Sequence, residues 1–181
     1  MGETMMTTST SERTLSKNST IYNYRLLKRV HHKPWHQYLF ALLTILAWIY
    51  ALLLTDPLPF GLVLFGIPIF HGIFLRILLQ TKESLIPGSW RWSFRLPWFG
   101  YAPFSHISLS KVRRSHIQLF WIGLAMLACL YPWIDTHTFI FAVFFHVWIL
   151  LPRFTIILLF RKHRAVGLLK INERDTSCYA Q

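Results

Sequence analysis

Residues 35–79 read WHQYLFALLTILAWIYALLLTDPLPFGLVLFGIPIFHGIFLRILL. The apolar runs Trp35 to Leu54 and Pro59 to Leu79 are each long enough to cross about 30 Å of hydrocarbon. Only Thr55, Asp56, Pro57 and Leu58 separate them. Pro57 and Pro59 stop one helix and start the next, so the pair forms a tight antiparallel hairpin. A second hairpin follows, His116 to Trp133 and Phe139 to Phe160, joined by residues 134–138. Lipid cannot satisfy open backbone groups and no run alternates with period two, so all four are expected to be helices.

Composition agrees with that reading. Of 181 residues 54% are hydrophobic and 14% charged, where soluble domains carry about 25% charged residues. Mean hydropathy is +0.39 beside a formal charge of +12, which excludes an ordinary soluble domain or a disordered basic tail. The first apolar run begins too late for a cleaved secretory signal and is expected to be a retained anchor. Residues 1–20 are rich in Ser and Thr, with too little apolar surface to pack.

The basic residues fix an expected orientation. Arg13, Lys17, Arg25, Lys28, Arg29 and Lys33 precede the first run; Lys82, Arg91, Arg95, Lys111, Arg113 and Arg114 lie between the hairpins; Arg161, Lys162, Arg164, Lys170 and Arg174 follow the last. Neither hairpin turn contains Lys or Arg. The expected fold is therefore an all-α integral membrane protein, four transmembrane helices in two hairpins with both termini cytoplasmic (N-in/C-in). Its divisions are a polar, then basic cytoplasmic arm (1–33), a first hairpin (34–79), a basic aromatic cytoplasmic loop (80–115), a second hairpin (116–160) and a basic cytoplasmic tail (161–181). A bacterial plasma membrane is the expected location. Topology and anionic lipid headgroups account for the positive charge without nucleic acid.

The hairpins resemble each other. His36, Leu39 and Phe40 match His116, Leu119 and Phe120 at an offset of 80, and Asp56 and Phe60 match Asp135 and Phe139 at 79. Such copies would be parallel repeats, unlike the inverted repeats typical of alternating-access carriers. Gly61, Gly66 and Gly72, with Gly123, Ala125 and Ala128, are the expected close-contact faces.

Ionisable residues inside spans are functional candidates: His71 and Arg76 in the second run, His146 and Arg153 in the fourth. Counted from the outer helix ends, Arg76 and Arg153 lie about 25 and 21 Å deep, where long side chains snorkel to the interface. His71 and His146 differ in depth by about 7 Å on the same count. A haem between them is one alternative; no second histidine pair or cofactor motif accompanies it, and no cofactor and no metal are expected. Proton handling is another. Between the hairpins, Trp90, Trp92 and Trp98 interleave with Arg91 and Arg95, followed by Lys111, Arg113 and Arg114. This pattern fits contact with lipid headgroups and phosphate. Its period of two and Pro87, Pro97 and Pro103 argue against an amphipathic helix there.

Cys178-Tyr179-Ala180-Gln181 formally fits a prenylation box. Cys129 and Cys178 offer no disulfide framework. No GxSxG, HExxH, P-loop or GxGxxG occurs, and the spans hold no carboxylate. The leading expectation is a non-enzymatic subunit, assembly factor or regulator of a membrane complex, with other membrane subunits or its own copies as partners. The alternatives are a small oligomeric transporter or channel using His71 or His146, and an enzyme acting on a lipid or lipid-linked phosphate through Arg91, Arg95, Arg113 and Arg114. The last lacks an evident base or nucleophile.

Overall fold

The computed structural model describes residues 24–54, 56–83, 90–93, 96–172 and 174–180, with 81–83 described in backbone only. Arg95, the Ser/Thr-rich start and Gln181 of the prenylation box lie outside these residues. In chain order the elements are β1 (Arg25–His31), α1 (Pro34–Leu54), α2 (Pro57–Glu83), β2 (Trp90–Ser93), β3 (Gly100–Pro103), β4 (Ile107–Ser108), α3 (Leu109–Leu130), α4 (Thr136–Leu159), β5 (Leu168–Ile171) and β6 (Asp175–Ala180). Single 3-10 turns at Tyr131–Trp133 and Arg161–His163 follow α3 and α4.

All four helices are long and apolar enough to cross a membrane. Proline supplies the first residue of α1 and α2, where its missing N–H costs nothing. Asp135 caps α4 by accepting from the Thr138 amide at 2.8 Å. The third helix begins at Leu109, seven residues before the apolar run, because the preceding basic turn is carried into the helix.

The all-α expectation is corrected by a four-stranded antiparallel sheet in the order β1-β6-β5-β4 and a separate β2-β3 hairpin. Arg25 pairs with Ala180 and His31 with Asp175, Leu168 with Tyr179, and Ile107 with Leu169. The β5-β6 hairpin closes where the Asn172 amide donates to Asp175 O at 2.9 Å. In the period-two stretch between the membrane hairpins, Trp90 pairs with Pro103 and Ser93 with Gly100. These strands escape a hydropathy reading because they are short and pair across long separations. Five of the seven β1 residues are also exposed, so no buried face marks that strand. The sheet draws strands from before α1, before α3 and after α4 to one end of the helices.

That end is sealed by one apolar cluster. Leu79 of α2, Trp90, Trp98, Ala102, Ile107, Val112 of α3, Phe160, Leu169 and Cys178 are all buried in it. The helices themselves are unevenly packed. Helices α2, α3 and α4 share buried layers, including Leu75, Leu119 and Leu150 at zero exposure. Ala51 alone is buried in α1, among its described residues. This helix is held from outside, by the Phe40 ring stacked on Trp148 at 4.7 Å and by the Trp148 indole donating to Thr44 Oγ1 at 2.8 Å. Of the expected small-residue contacts, Gly72 and Gly123 are tight. A Cβ on them would lie 2.3 Å from Trp92 and 2.1 Å from His146. Gly61 and Gly66 meet nothing within 4 Å, and Ala125 and Ala128 are exposed.

Candidate functional site

A polar strip runs inside the α2-α3-α4 core, and helical spacing builds it. On α3, Val112, Ser115, His116, Leu119, Gly123 and Leu127 form one buried stripe at steps of three and four. On α4, His146, Ile149, Leu150 and Arg153 share the inward face, and His71 and Leu75 do so on α2.

At one level, the imidazoles of His71 and His146 touch, Nε2 to Nδ1 at 2.8 Å, and His146 Nε2 lies 3.2 Å from Phe120 O. The carbonyl can only accept, so His146 carries its proton on Nε2 and its Nδ1 accepts from His71 Nε2–H. His71 Nδ1 is buried without a hydrogen-bond partner among the described residues. Gly123 permits the contact, since any side chain there would occupy the space of the His146 ring. The depth difference counted from helix ends does not keep the two imidazoles apart. The acceptor is the Phe120 carbonyl.

At the next level toward the sheet, Arg153 is 1% exposed, which corrects the expectation that it snorkels to the interface. Its guanidinium donates through Nη2 to Phe99 O and through Nη1 to His116 Nε2 at 3.2 Å. His116 must accept there, and it does because its Nδ1–H donates to Val112 O at 2.7 Å. Trp90 stacks on this imidazole and Trp98 meets it edge-on. Gly100, at φ +99°, turns the chain so that the Phe99 carbonyl faces the guanidinium; a Cβ at Gly100 would lie 2.8 Å from Nη2. No carboxylate approaches Arg153 among the described residues, so backbone and imidazole dipoles alone stabilise its charge. Between the two levels lies the layer of Leu75, Leu119 and Leu150.

A third cluster joins the sheet to the central loop. Trp98 Nε1 donates to Thr176 Oγ1 at 2.9 Å, and His32 Nε2 lies 2.8 Å from the same oxygen. Burial pushes the His32 imidazole below its ordinary range against the pull of the Asp175 carboxylate. Burial also pushes Asp175 up, but hydrogen bonds from Ser177 and Asn172 and the Arg29 guanidinium at 3.5 Å outweigh it, leaving its carboxyl lowered.

Of the residues singled out in the sequence, the structure brings together His71 with His146 and places Arg153, Trp90 and Trp98 around His116. Arg76 is exposed on α2. Arg91 lies over the Phe104 ring at 5.6 Å and Trp92 is half-exposed with its ring against Gly72. Lys111 and Arg114 are exposed on the first turns of α3, and Arg113 is partly buried there. His116 and the His32-Thr176 contact carry no motif in the sequence. The α3 stripe was the available signal for His116; nothing local marks Thr176. Cys129 is exposed and Cys178 buried in β6, where burial raises its thiol. Among the described residues no group of three or more His, Cys, Asp or Glu side chains is placed to hold a metal ion. Comparison with known protein families, characterised proteins and solved structures gives no match.

Proposed function

We propose that this chain is a non-enzymatic membrane protein, a subunit, assembly factor or regulator of a larger membrane complex, with its sheet and both termini on the cytoplasmic side. The observation that carries this reading is how the interior polar groups are arranged. His116 has both nitrogens occupied by Val112 O and Arg153, and Leu75, Leu119 and Leu150 separate that pair from His71 and His146. Such occupied groups hold a fold together, and the cavity of about 400 Å³ that His146 borders between α2, α3 and α4 is otherwise lined, among the described residues, by apolar side chains and Thr138. The exposed polar surface lies instead at the sheet end, where β1 carries exposed Arg25, Lys28 and Arg29. The concentration of Lys and Arg in segments at that end, and their absence from both helix turns, supports the orientation.

Affinity isolation of the full chain in mild detergent tests the reading. A stoichiometric foreign membrane subunit is expected, and its loss in an Arg25→Glu, Lys28→Glu variant would place contact at β1. Isolation of a single species that catalyses flux in vesicles would overturn it, and a Soret absorbance would assign haem to the histidine pair.

Proton-linked transport by an oligomer is the second reading, favoured by the 2.8 Å contact between His71 and His146. It requires that His71→Ala or His146→Ala abolish a pH-dependent flux. Two such variants behaving like the parent chain would remove it.

A further inference from the structure

A cleft of about 370 Å³ opens between α1 and α4 beneath the loop segment Leu96-Pro97. Its polarity is graded along the helices. At the sheet end it is bordered by His31, His32, Lys33 and His36, with Leu159 of α4, whose carbonyl accepts from Lys28, beside them, and farther along by Leu39, Phe40, Leu43 and Leu151. Among the described residues neither Asp nor Glu lines it. From Lys33 to Leu43 the chain advances about 15 Å, half the thickness of the hydrocarbon layer. Positive charge therefore sits at the mouth and an apolar trough leads inward, parallel to the direction in which a lipid descends from headgroup to chain.

The trough is built rather than incidental. Gln37 Nε2 donates to Leu96 O at 3.3 Å and fixes the cover, while Phe40 stacked on Trp148 forms the floor. His32 is committed to Thr176 at the rim, leaving Lys33, His31 and His36 for an incoming anion. The first turn of α1 adds the positive end of its helix dipole.

We propose that this cleft binds one anionic phospholipid, its phosphate held by Lys33 with His31 and His36 and one acyl chain lying against Leu39, Leu43 and Leu151. A soluble phosphate leaves the apolar wall uncovered, and a zwitterionic lipid brings its own cation to a basic mouth. The site goes beyond the proposed partner role and stands without a protein partner.

The test uses the full chain, delipidated in detergent, with phosphatidylglycerol, phosphatidylcholine or glycerol phosphate added and retained molecules counted by native mass spectrometry. One phosphatidylglycerol per chain is expected in preference to phosphatidylcholine. Lys33→Gln should weaken that preference about fivefold, the factor one basic residue contributes at an anionic surface. Lys162→Gln, at an exposed position outside the cleft, should leave it unchanged. Leu43→Trp should fill the trough and reduce retention of both lipids, while Leu53→Trp, on the exposed far part of α1, should not. Equal retention of the two lipids, or an equal effect of Lys33→Gln and Lys162→Gln, would overturn the site. So would displacement of phosphatidylglycerol by glycerol phosphate, or a photo-crosslinker at Thr155 that captures a protein helix in place of lipid.

Discussion

The indole N–H of Trp98 donates to the hydroxyl oxygen of Thr176 at 2.9 Å, joining the loop between α2 and α3 to the strand that follows all four helices. The contact is fully buried, and His32 reaches the same oxygen from the N-terminal side. Three segments distant in sequence thus meet at one hydroxyl. Thr176→Val keeps the shape and strands the Trp98 donor, which costs about 1 to 3 kcal/mol. Trp98→Ala also removes a large side chain from the cap cluster and costs about 3 to 5 kcal/mol. Thermal unfolding of the full chain in detergent should rank them in that order; a Trp98→Ala variant as stable as the parent would show that the cap does not depend on this indole.

Gly100 and Arg153 are coupled through backbone geometry. Gly100→Ala places a Cβ at φ +99° and 2.8 Å from Nη2, so it should destabilise by about 1 to 3 kcal/mol. Arg153→Lys replaces a two-pronged donor by a point charge that cannot bridge Phe99 O and His116 Nε2 together. Each change should lower the unfolding temperature. The double variant should lose less than the sum, since both disturb one contact.

Glycines of α2 and α3 separate by what their faces meet. Gly66→Ala enters open space and should be neutral, or stabilising by up to about 1 kcal/mol through helix propensity. Gly123→Ala drives a methyl into the His146 ring and should part it from His71. Imidazole NMR signals of the pair should shift in Gly123→Ala and stay in place in Gly66→Ala. Identical spectra for the two variants would contradict the packing at Gly123.

The sheet should respond to acid through His32. Its folded imidazole is lowered by burial, so below about 6.5 the unfolded chain takes up a proton that the folded chain resists. Stability from this group is present above that pH and is lost as pH falls toward the folded value. Asp175, also lowered, adds a second loss below the ordinary carboxylate range. Hydrogen exchange of β1 amides, corrected for intrinsic rate, should quicken between pH 7 and 5 in the parent chain and stay level in His32→Gln.

Topology is tested with cysteines at Asp56 and Asp135, expected to react with an impermeant thiol reagent from outside. Cys178 is a poor inner reporter because the sheet buries it whichever side it faces. A cysteine at exposed Arg161 serves instead, and its labelling in intact cells would overturn the proposed orientation.

The spans were legible because length and hydropathy act within twenty-odd consecutive residues, and two short polar turns, the first marked by Pro57 and Pro59, set their limits. The sheet was hidden for the opposite reason. Strand β1 reads as a basic arm, Arg25 to His31, and becomes a strand only through β6, whose Thr176, Ser177 and Cys178 are buried by partners elsewhere in the chain. The site was half legible. His71, His146 and Arg153 stand out as ionisable groups in apolar runs. Their partners, Phe120 O and Phe99 O, are carbonyls without a signature, and counting residues from helix ends does not anticipate the contact of His71 with His146. The expectation that Arg153 snorkels failed because the loop folds back to meet it.

The pairing of β1 with β6 also sets an order of assembly. Strand β1 precedes the four long helices and its neighbour follows them; His32 and Thr176 stand 144 residues apart. At ribosomal speed that is roughly seven to thirty seconds during which Arg25 to His31 lacks its β6 partner. A chain stalled or cut after α4 keeps four helices long and apolar enough to cross a membrane but leaves β1 unpaired on both sides, where the whole sheet leaves it unpaired on one. Such an edge invites adventitious strand pairing. Loss of β6 is therefore expected to favour aggregation through β1.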